Sequence, residues 1–294
     1  MEQILSQQRE FLRDLSPFLI HIGVFFLQKK DNYQKNLIFV KSSFMNFDSV
    51  ITMRKCIYVF SLLLVCSLAY GQRLLTFKAS DGLEVTADFY ETFAESNKYM
   101  LMFHQADYSR GEFQQIASRI IKLDINCVAV DLRYGNEVNY INNETAMRAR
   151  LSGHAISMMD CEKDILAAIE HVYAMDSSAK IFLMGSSFSA SLCLKVAKDR
   201  KDIQAVIAYS PGEFFSDFSM ANYLKGLNTP TYIACPRSEY SYVSQLADGI
   251  TSSKSVLFRP ESSGGMHGAR CLWWNSDSSE EFWLSLLFFL KDFK

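Results

Sequence analysis

Short apolar runs alternate with helical patterns along residues 99–292, and this alternation limits the possible folds more than any other feature of the sequence. Apolar spacing of three and four residues predicts helices at 112–123, 160–173, 189–198, 241–250 and 279–292. Runs of five or six mostly apolar residues predict strands at 99–103, 126–131, 180–184, 205–209, 231–235 and 255–259. Most of these runs are apolar throughout, as expected for strands covered on both faces. The sequence therefore predicts an α/β fold with a mainly parallel sheet and helices on both faces.

Both ends of the predicted domain carry local folding signals. Residues 74–78 and 83–90 flank a Ser-Asp-Gly turn and predict an antiparallel hairpin at the sheet edge. Ser278 is followed three places later by Glu281, which predicts a capping box at the start of the last helix. In a sheet of this kind, functional side chains collect at the carboxyl ends of the strands.

Residues 53–71 have the three-part layout of a secretory signal peptide. A basic start is followed by an apolar stretch at 56–68, which is short for a membrane span, and then by Ala-Tyr-Gly. We expect translation to begin at Met53, residues 1–52 to be upstream or non-domain sequence, and a domain at 72–294 that is secreted or periplasmic. A buried helix, a membrane anchor, or a lipoprotein attached through Cys66 are the alternatives, and retention of the N-terminus would leave the protein membrane-attached.

Composition excludes several classes of protein. Hydrophobic residues make up 49% and charged residues 21% of the 294 residues, so disorder is not expected to dominate. The formal net charge is −2, which gives no support for nucleic-acid binding. Phosphate-loop, dinucleotide and zincin motifs do not occur, and the five cysteines after residue 71 lack metal-type spacing. We expect no metal, no organic cofactor and no disulfide framework, with Cys127 and Cys235 as buried free thiols.

A candidate nucleophile lies directly after the strand predicted at 180–184. Residues 185–189 read Gly-Ser-Ser-Phe-Ser and open the next predicted helix. A sharp strand-to-helix turn that exposes a hydroxyl needs small residues two places before and after the nucleophile. Centring the turn on Ser187 puts Gly185 and Ser189 at those places, whereas centring it on Ser186 would put Met184 at one of them. The sequence therefore predicts Ser187 as the nucleophile.

A candidate general base and a candidate acid follow in the chain. His267 lies among glycines after the last predicted strand and has the residue type whose ordinary pKa suits proton transfer near neutral pH. His104, His154 and His171 are less well placed. Glu239 is the only carboxylate in the turn after residue 235, whereas Asp248 lies farther along on a helix. We expect Glu239 to orient His267, with Asp248 as the alternative.

An oxyanion hole completes the predicted site. One donor would be the backbone N–H of Phe188, the residue after the nucleophile. The second would come from the loop after residue 103, where Gln105 and Ala106 are both possible donors.

These motifs together resemble the α/β-hydrolase superfamily, in particular its small dienelactone-hydrolase-like or serine-aminopeptidase-like members, over about residues 74–293. The segments GSSFS, HQADYSRGEF, VDLRYG and GGMHG match in order and spacing. Ser189 departs from the usual final Gly of the turn, and Glu239 stands where most members carry Asp. The resemblance implies the α/β-hydrolase fold with a short cap at 211–230, and a loop at 135–157 that covers part of the site.

The resemblance also implies an activity. We expect a serine hydrolase, most simply a carboxylic-ester hydrolase acting through an acyl-enzyme on small to medium esters. A thioesterase or peptidase using the same triad is one alternative, and a non-catalytic binding protein that keeps the fold is another. The expected partner is a small ester-like molecule, with no nucleic acid and no stable membrane span in the mature chain.

Overall fold

An eight-stranded sheet lies at the centre of the residues that the computed structural model describes, 72–262 and 264–293. Residues 1–71, with the predicted signal peptide, lie outside this range. The strands are β1 Gln72–Lys78, β2 Glu84–Tyr90, β3 Lys98–Phe103, β4 Asn126–Val130, β5 Glu137–Val138, β6 Ile141–Asn142, β7 Lys180–Ser186, β8 Ile203–Tyr209, β9 Thr231–Ala234 and β10 Val256–Phe258. Strands β5 and β6 form a separate two-stranded hairpin.

The sheet order is β1-β2-β4-β3-β7-β8-β9-β10. Strands β3, β4, β7, β8, β9 and β10 run parallel to one another, and β2 pairs antiparallel with both β1 and β4. The hairpin predicted at the sheet edge is therefore confirmed. Because β3 lies between β4 and β7, the chain winds in opposite directions from this point, and the loops after β3 and β7 meet at the carboxyl ends of the strands.

Helices cover both faces of the sheet, which confirms the predicted fold class. The described α-helices are α1 Gln114–Ile120, α2 Glu144–Ser152, α3 Glu162–Met175, α4 Phe188–Asp199, α5 Met220–Tyr223, α6 Tyr240–Ala247 and α7 Ser279–Leu290. One apolar core lies under α3, α4 and α6, and a second core lies under α1 and α7. The helix predicted at 112–123 is α1 extended by 3₁₀ turns at Arg110–Phe113 and Ile121–Leu123.

The capping box predicted for α7 is wrong. Ser278 is the N-cap residue, but its side chain accepts no capping hydrogen bond. Glu281 instead accepts from the backbone N–H groups of Glu261 at 2.7 Å and Ser262 at 3.1 Å. The carboxylate therefore joins α7 to the loop after β10, because it accepts these two hydrogen bonds instead of capping the helix.

The segment 135–157, expected as a covering loop, contains the β5–β6 hairpin and α2. An ion pair between Glu144 and Arg110 joins it to the 3₁₀ helix Arg110–Phe113, and two buried carboxylates outside the segment hold the same guanidinium. The Arg110 guanidinium lies 3.1 Å from Asp88, 2.6 Å from Asp131 and 3.1 Å from Glu144. A buried charge is stable only when it is paired in this way. The network fixes the position of the 3₁₀ helix at the carboxyl end of β3.

The five cysteines between residues 72 and 293 are all buried and unpaired, as expected for Cys127 and Cys235. Within the described residues, no helix has the length and apolar character needed to cross a membrane.

Candidate active site

Ser187 occupies a sharp turn between β7 and α4. Its backbone has φ 61° and ψ −124°, a conformation that a residue with a side chain adopts only when its surroundings impose it. A Cβ atom on Gly185 would lie 2.5 Å from the backbone of Ala190, so the turn can close only over glycine. The Ser187 N–H donates to the carbonyl of Tyr209 at 2.8 Å. The turn register predicted from small flanking residues thus matches the strained residue.

Ser189, the departure from the usual final glycine, holds this turn against β3. Its Oγ lies 2.6 Å from the Phe103 carbonyl and accepts from the Ser186 N–H at 2.9 Å. The hydroxyl therefore satisfies a carbonyl at the end of one strand and an N–H of the turn, both of which are buried. A glycine at this place would leave both groups without that partner.

His267 and Glu239 are brought together by the loops after β10 and β9. His267 Nδ1 lies 2.6 Å from Glu239 Oε1, and both side chains are partly exposed. Burial acts to raise the pKa of Glu239, but the hydrogen bond with His267 and the neighbouring hydroxyls of Ser210 and Tyr242 outweigh it and lower the pKa. The ionised carboxylate accepts the proton on Nδ1, which leaves Nε2 as the basic nitrogen. Asp248 ends α6 and makes no described contact with His267.

The loop that carries His267 packs directly on the Ser187 turn. The N–H of Ala269 donates to Ser186 Oγ at 2.8 Å, and the N–H of Gly268 donates to Ser210 Oγ at 2.9 Å. Gly268 has φ +70°, and a Cβ atom there would collide with Ser186 Oγ. Among the described contacts no hydrogen bond joins Ser187 to His267, and in unliganded hydrolases this bond is often long.

The loop after β3 presents a free backbone donor at Ala106, one of the two candidates for the oxyanion hole. The Gln105 N–H donates to Glu112 Oε2 at 2.8 Å, and its carbonyl accepts from His104 Nδ1 at 2.8 Å. His104 Nε2 accepts from the Leu132 N–H at 2.9 Å, so the proton is on Nδ1, and burial lowers the pKa of this histidine to about 4. The Ala106 N–H, on the opposite side of the same peptide from the Gln105 carbonyl, has no hydrogen-bond partner among the described residues.

No sequence pattern predicted a role in the site for three residues of this region, Ser186, Ser210 and Glu112. Ser186 and Ser210 accept hydrogen bonds from the loop that carries His267, and Glu112 accepts from Ser186 and Gln105. Ser186 Oγ and Glu112 Oε1 are 74 positions apart in the chain, so no local pattern could have revealed the pair. The helical spacing around Glu112 indicated only a helix.

The two remaining histidines of the described residues, His154 and His171, make contacts elsewhere. His154 Nε2 contacts the Asp81 carbonyl, and the His171 ring stacks on Phe77 at 4.8 Å. The described residues contain no group of three or more His, Cys, Asp or Glu side chains arranged to hold a metal ion.

Comparisons with known proteins point to one fold. No protein-family model matches the sequence, and no match to a curated protein is found. Among solved structures, esterase Pf2001 from Pyrococcus furiosus is similar with a TM-score of 0.60 and 15% identity, covering 77% of this chain and 94% of that one. A dienelactone hydrolase from Anabaena variabilis has a TM-score of 0.57 and 12% identity, covering 75% of this chain and 97% of that one.

An esterase domain from Rhodothermus marinus is also similar, with a TM-score of 0.52 and 12% identity over 75% of this chain and 98% of that one. At these identities the likeness concerns the backbone. The strand order, the turn after β7 and these similarities together show that the chain has the α/β-hydrolase fold.

Proposed function

We propose that the protein is a serine hydrolase that cleaves esters of small or medium acids through an acyl-enzyme on Ser187. The single observation that carries this proposal is the 2.6 Å contact between His267 and Glu239, in a loop that packs on the strained turn of Ser187. A histidine oriented by a carboxylate beside a nucleophile turn is the arrangement that activates a hydroxyl.

In the proposed reaction, Ser187 Oγ attacks the carbonyl carbon of the ester while His267 Nε2 takes its proton. Glu239 stabilises the imidazolium that forms. The negative charge on the carbonyl oxygen is met by the backbone N–H groups of Phe188 and Ala106. The C–O bond to the alcohol then breaks, and His267 returns the proton to the leaving oxygen. Water attacks the acyl-enzyme by the same steps and frees the acid and Ser187.

The oxyanion donors follow from the backbone. The N–H of Phe188 is the first of α4, so it has no partner within the helix. Of the two candidates in the loop after β3, Gln105 is already hydrogen-bonded to Glu112, which favours Ala106. The peptide that carries the Ala106 N–H is held by His104, so the donor would be in place before the substrate arrives.

Aromatic side chains at the carboxyl end of the sheet bear on the substrate class. Tyr134, Phe214, Phe215 and Phe218 are partly buried at the carboxyl end of the sheet, and they favour apolar acyl or alcohol groups. The same triad can also cleave thioesters and amides. We further propose that the mature protein is secreted or periplasmic. This proposal rests on the signal-like layout of residues 53–71.

Hydrolysis of p-nitrophenyl acetate and butyrate tests the function directly. Pure protein should release p-nitrophenol well above the background rate, and the Ser187→Ala variant should not. Equal rates for the two proteins would favour a non-catalytic binding protein that keeps the fold. A series of acyl chain lengths, together with the matching thioesters and amides, would then rank the substrate classes.

A further inference from the structure

Glu112 is a fully buried carboxyl group that the proposed reaction does not use. It lies in the 3₁₀ helix Arg110–Phe113, behind the turn of Ser187. Its Oε2 accepts from the Gln105 N–H at 2.8 Å, and its Oε1 accepts from Ser186 Oγ at 2.8 Å. A carboxylate in an apolar interior is costly, so its place here calls for an explanation.

The hydrogen bonds of this carboxyl group lead to all three loops of the candidate site. Gln105 precedes Ala106 in the loop after β3, and Ser186 precedes Ser187. Through Ser186 the network reaches the third loop, because the Ala269 N–H donates to Ser186 Oγ at 2.8 Å. The backbone carbonyl of Glu112 adds a further link, since it accepts from Trp273 Nε1 at 2.9 Å.

The proton positions in this network are determined by its chemistry. Ser186 Oγ accepts from the Ala269 N–H and donates its own hydrogen to Glu112 Oε1. The Gln105 N–H can only donate. In its ionised form Glu112 accepts on both oxygens, so that neither hydrogen is left unpaired. A glutamine of the same shape could keep its oxygen toward the Gln105 N–H only by turning its NH₂ group toward Ser186 Oγ, and the hydrogen of Ser186 would then lose its acceptor.

We propose that Glu112 is a positioning residue that holds the oxyanion loop, the nucleophile turn and the loop of His267 in one arrangement. It fixes the Gln105 N–H on one side, while His104 fixes the Gln105 carbonyl on the other. The Ala106 N–H is thereby held in the direction of the developing oxyanion. This inference rests on the proposed function and extends it to a residue that does not touch the substrate.

The electrostatic setting agrees with a functional role. Burial raises the pKa of Glu112 to about 7, although the hydrogen bonds from Gln105 and Ser186 and the charges of Arg270 and His267 oppose the rise. Burial and, after it, the charge of Glu112 raise the pKa of the Cys271 thiol. The charged form therefore reduces stability at neutral pH, which is the pattern expected when a buried charge is retained for activity.

The test compares Glu112→Gln with Ile116→Val, a change to a buried apolar residue on α1 whose side chain takes no part in this hydrogen-bond network. Each protein is measured for kcat and KM on p-nitrophenyl butyrate, corrected by active-site titration. An alkyl trifluoromethyl ketone, which forms a tetrahedral oxyanion with an active serine, probes transition-state binding. The melting temperature at pH 8 reports folding.

We expect Glu112→Gln to lower kcat by roughly 10- to 100-fold with KM within about threefold, since misplacing an oxyanion donor acts on the transition state. The inhibition constant of the ketone should rise by the same factor as kcat/KM falls, while the melting temperature at pH 8 does not fall. Ile116→Val should lower the melting temperature and leave kcat and the inhibition constant unchanged.

The inference would be overturned, and the proposed function left standing, if the wild type is active and Glu112→Gln has the same kcat and the same inhibition constant as the wild type. The inference would also fail if activity fell only in step with the titrated fraction of sites. Wild-type protein that neither turns over the ester nor binds the ketone would overturn both. If Glu112→Gln does not fold, Ser186→Ala decides, because deleting the bridging hydroxyl should lower kcat by about tenfold with KM little changed.

Discussion

Three buried serines lie close to Ser187 in space or in sequence, and the hydroxyl group of each one bonds a different part of the backbone around the site. Ser189 ties the nucleophile turn to the end of β3, and Ser186 and Ser210 each accept an N–H from the loop of His267. Each hydroxyl serves a backbone group that is buried away from water, which would otherwise cost stability. The proposed catalytic hydroxyl is the one left out of this backbone network.

Glu239 is expected to matter through its charge. Glu239→Gln keeps the shape of the side chain but removes the charge that supports the imidazolium, so kcat should fall by roughly 10²- to 10⁴-fold. Asp248→Asn is the matched control, because Asp248 lies on the same segment without contacting His267. Steady-state kinetics on p-nitrophenyl butyrate measures both. A large loss in Asp248→Asn with little change in Glu239→Gln would reassign the acid.

Glu112 should make stability depend on pH with a defined sign. Its pKa is about 7 in the folded protein, against an ordinary value of 4.5, so between these values the folded state binds more protons than the unfolded state. The free energy of unfolding therefore falls as the pH rises through this window. Glu112→Gln removes that dependence, and its stability relative to wild type should increase from pH 5 to pH 8 by at most about 3 kcal/mol.

Denaturant unfolding of both proteins at the two pH values measures this difference. Subtraction removes the contributions of His267, Arg270 and other groups that both proteins share. A relative stability that does not change, or that decreases toward pH 8, would show that folding does not raise the pKa of Glu112 above its ordinary value.

At the scale of elements, the strand-to-helix turn depends on Gly185. Gly185→Ala would place a Cβ atom 2.5 Å from the Ala190 backbone, so the first turn of α4 would have to shift. We expect kcat to fall by roughly 10²-fold or more and the melting temperature to drop. Gly264→Ala is the control, because a Cβ atom there meets nothing within 4 Å. Unchanged kinetics in Gly185→Ala would mean that the turn is not strained as described.

The strands and most helices could be predicted because their apolar periodicity is local. Helix α2 was missed because its apolar residues do not form a stripe, and polar contacts hold it. Its ends do carry signals, since Asn143 caps the first turn and Gly153 adopts a left-handed conformation after the last. The capping box predicted at Ser278 is wrong because of contacts that are distant in sequence. Glu281 accepts hydrogen bonds from backbone groups 19 and 20 positions away.

At the scale of the whole molecule, the meeting of the loops that carry Ser187, Glu239 and His267 was predictable, because parallel strands bring their carboxyl ends to one edge. The contact between His267 and Glu239 lies where that reasoning put it. The hydrogen bonds behind the site were not predictable, because Glu112 and Ser186 meet only after the sheet has formed. Sequence patterns therefore located the candidate reacting groups but not the residues that hold them.

The predicted signal peptide leads to an expectation about the mature protein. Protein recovered from its native host should begin near Gln72, as checked by N-terminal sequencing. A chain produced from Gln72 onward should keep the melting temperature and esterase activity of the full chain, because residues within 75–293 supply the described part of both apolar cores. Recovery of intact protein that starts at Met1 would contradict the secretory interpretation.

The central claim is an acyl-enzyme on Ser187, and covalent labelling tests it most directly. A fluorophosphonate probe, followed by peptide mass mapping, distinguishes Ser187 from the adjacent Ser186. Wild type and Ser186→Ala should carry the label on Ser187, more slowly in the variant, whereas Ser187→Ala should carry none and lose roughly 10⁴-fold or more in kcat. Label that persists in Ser187→Ala and disappears in Ser186→Ala would contradict the account, as would an unlabelled wild type.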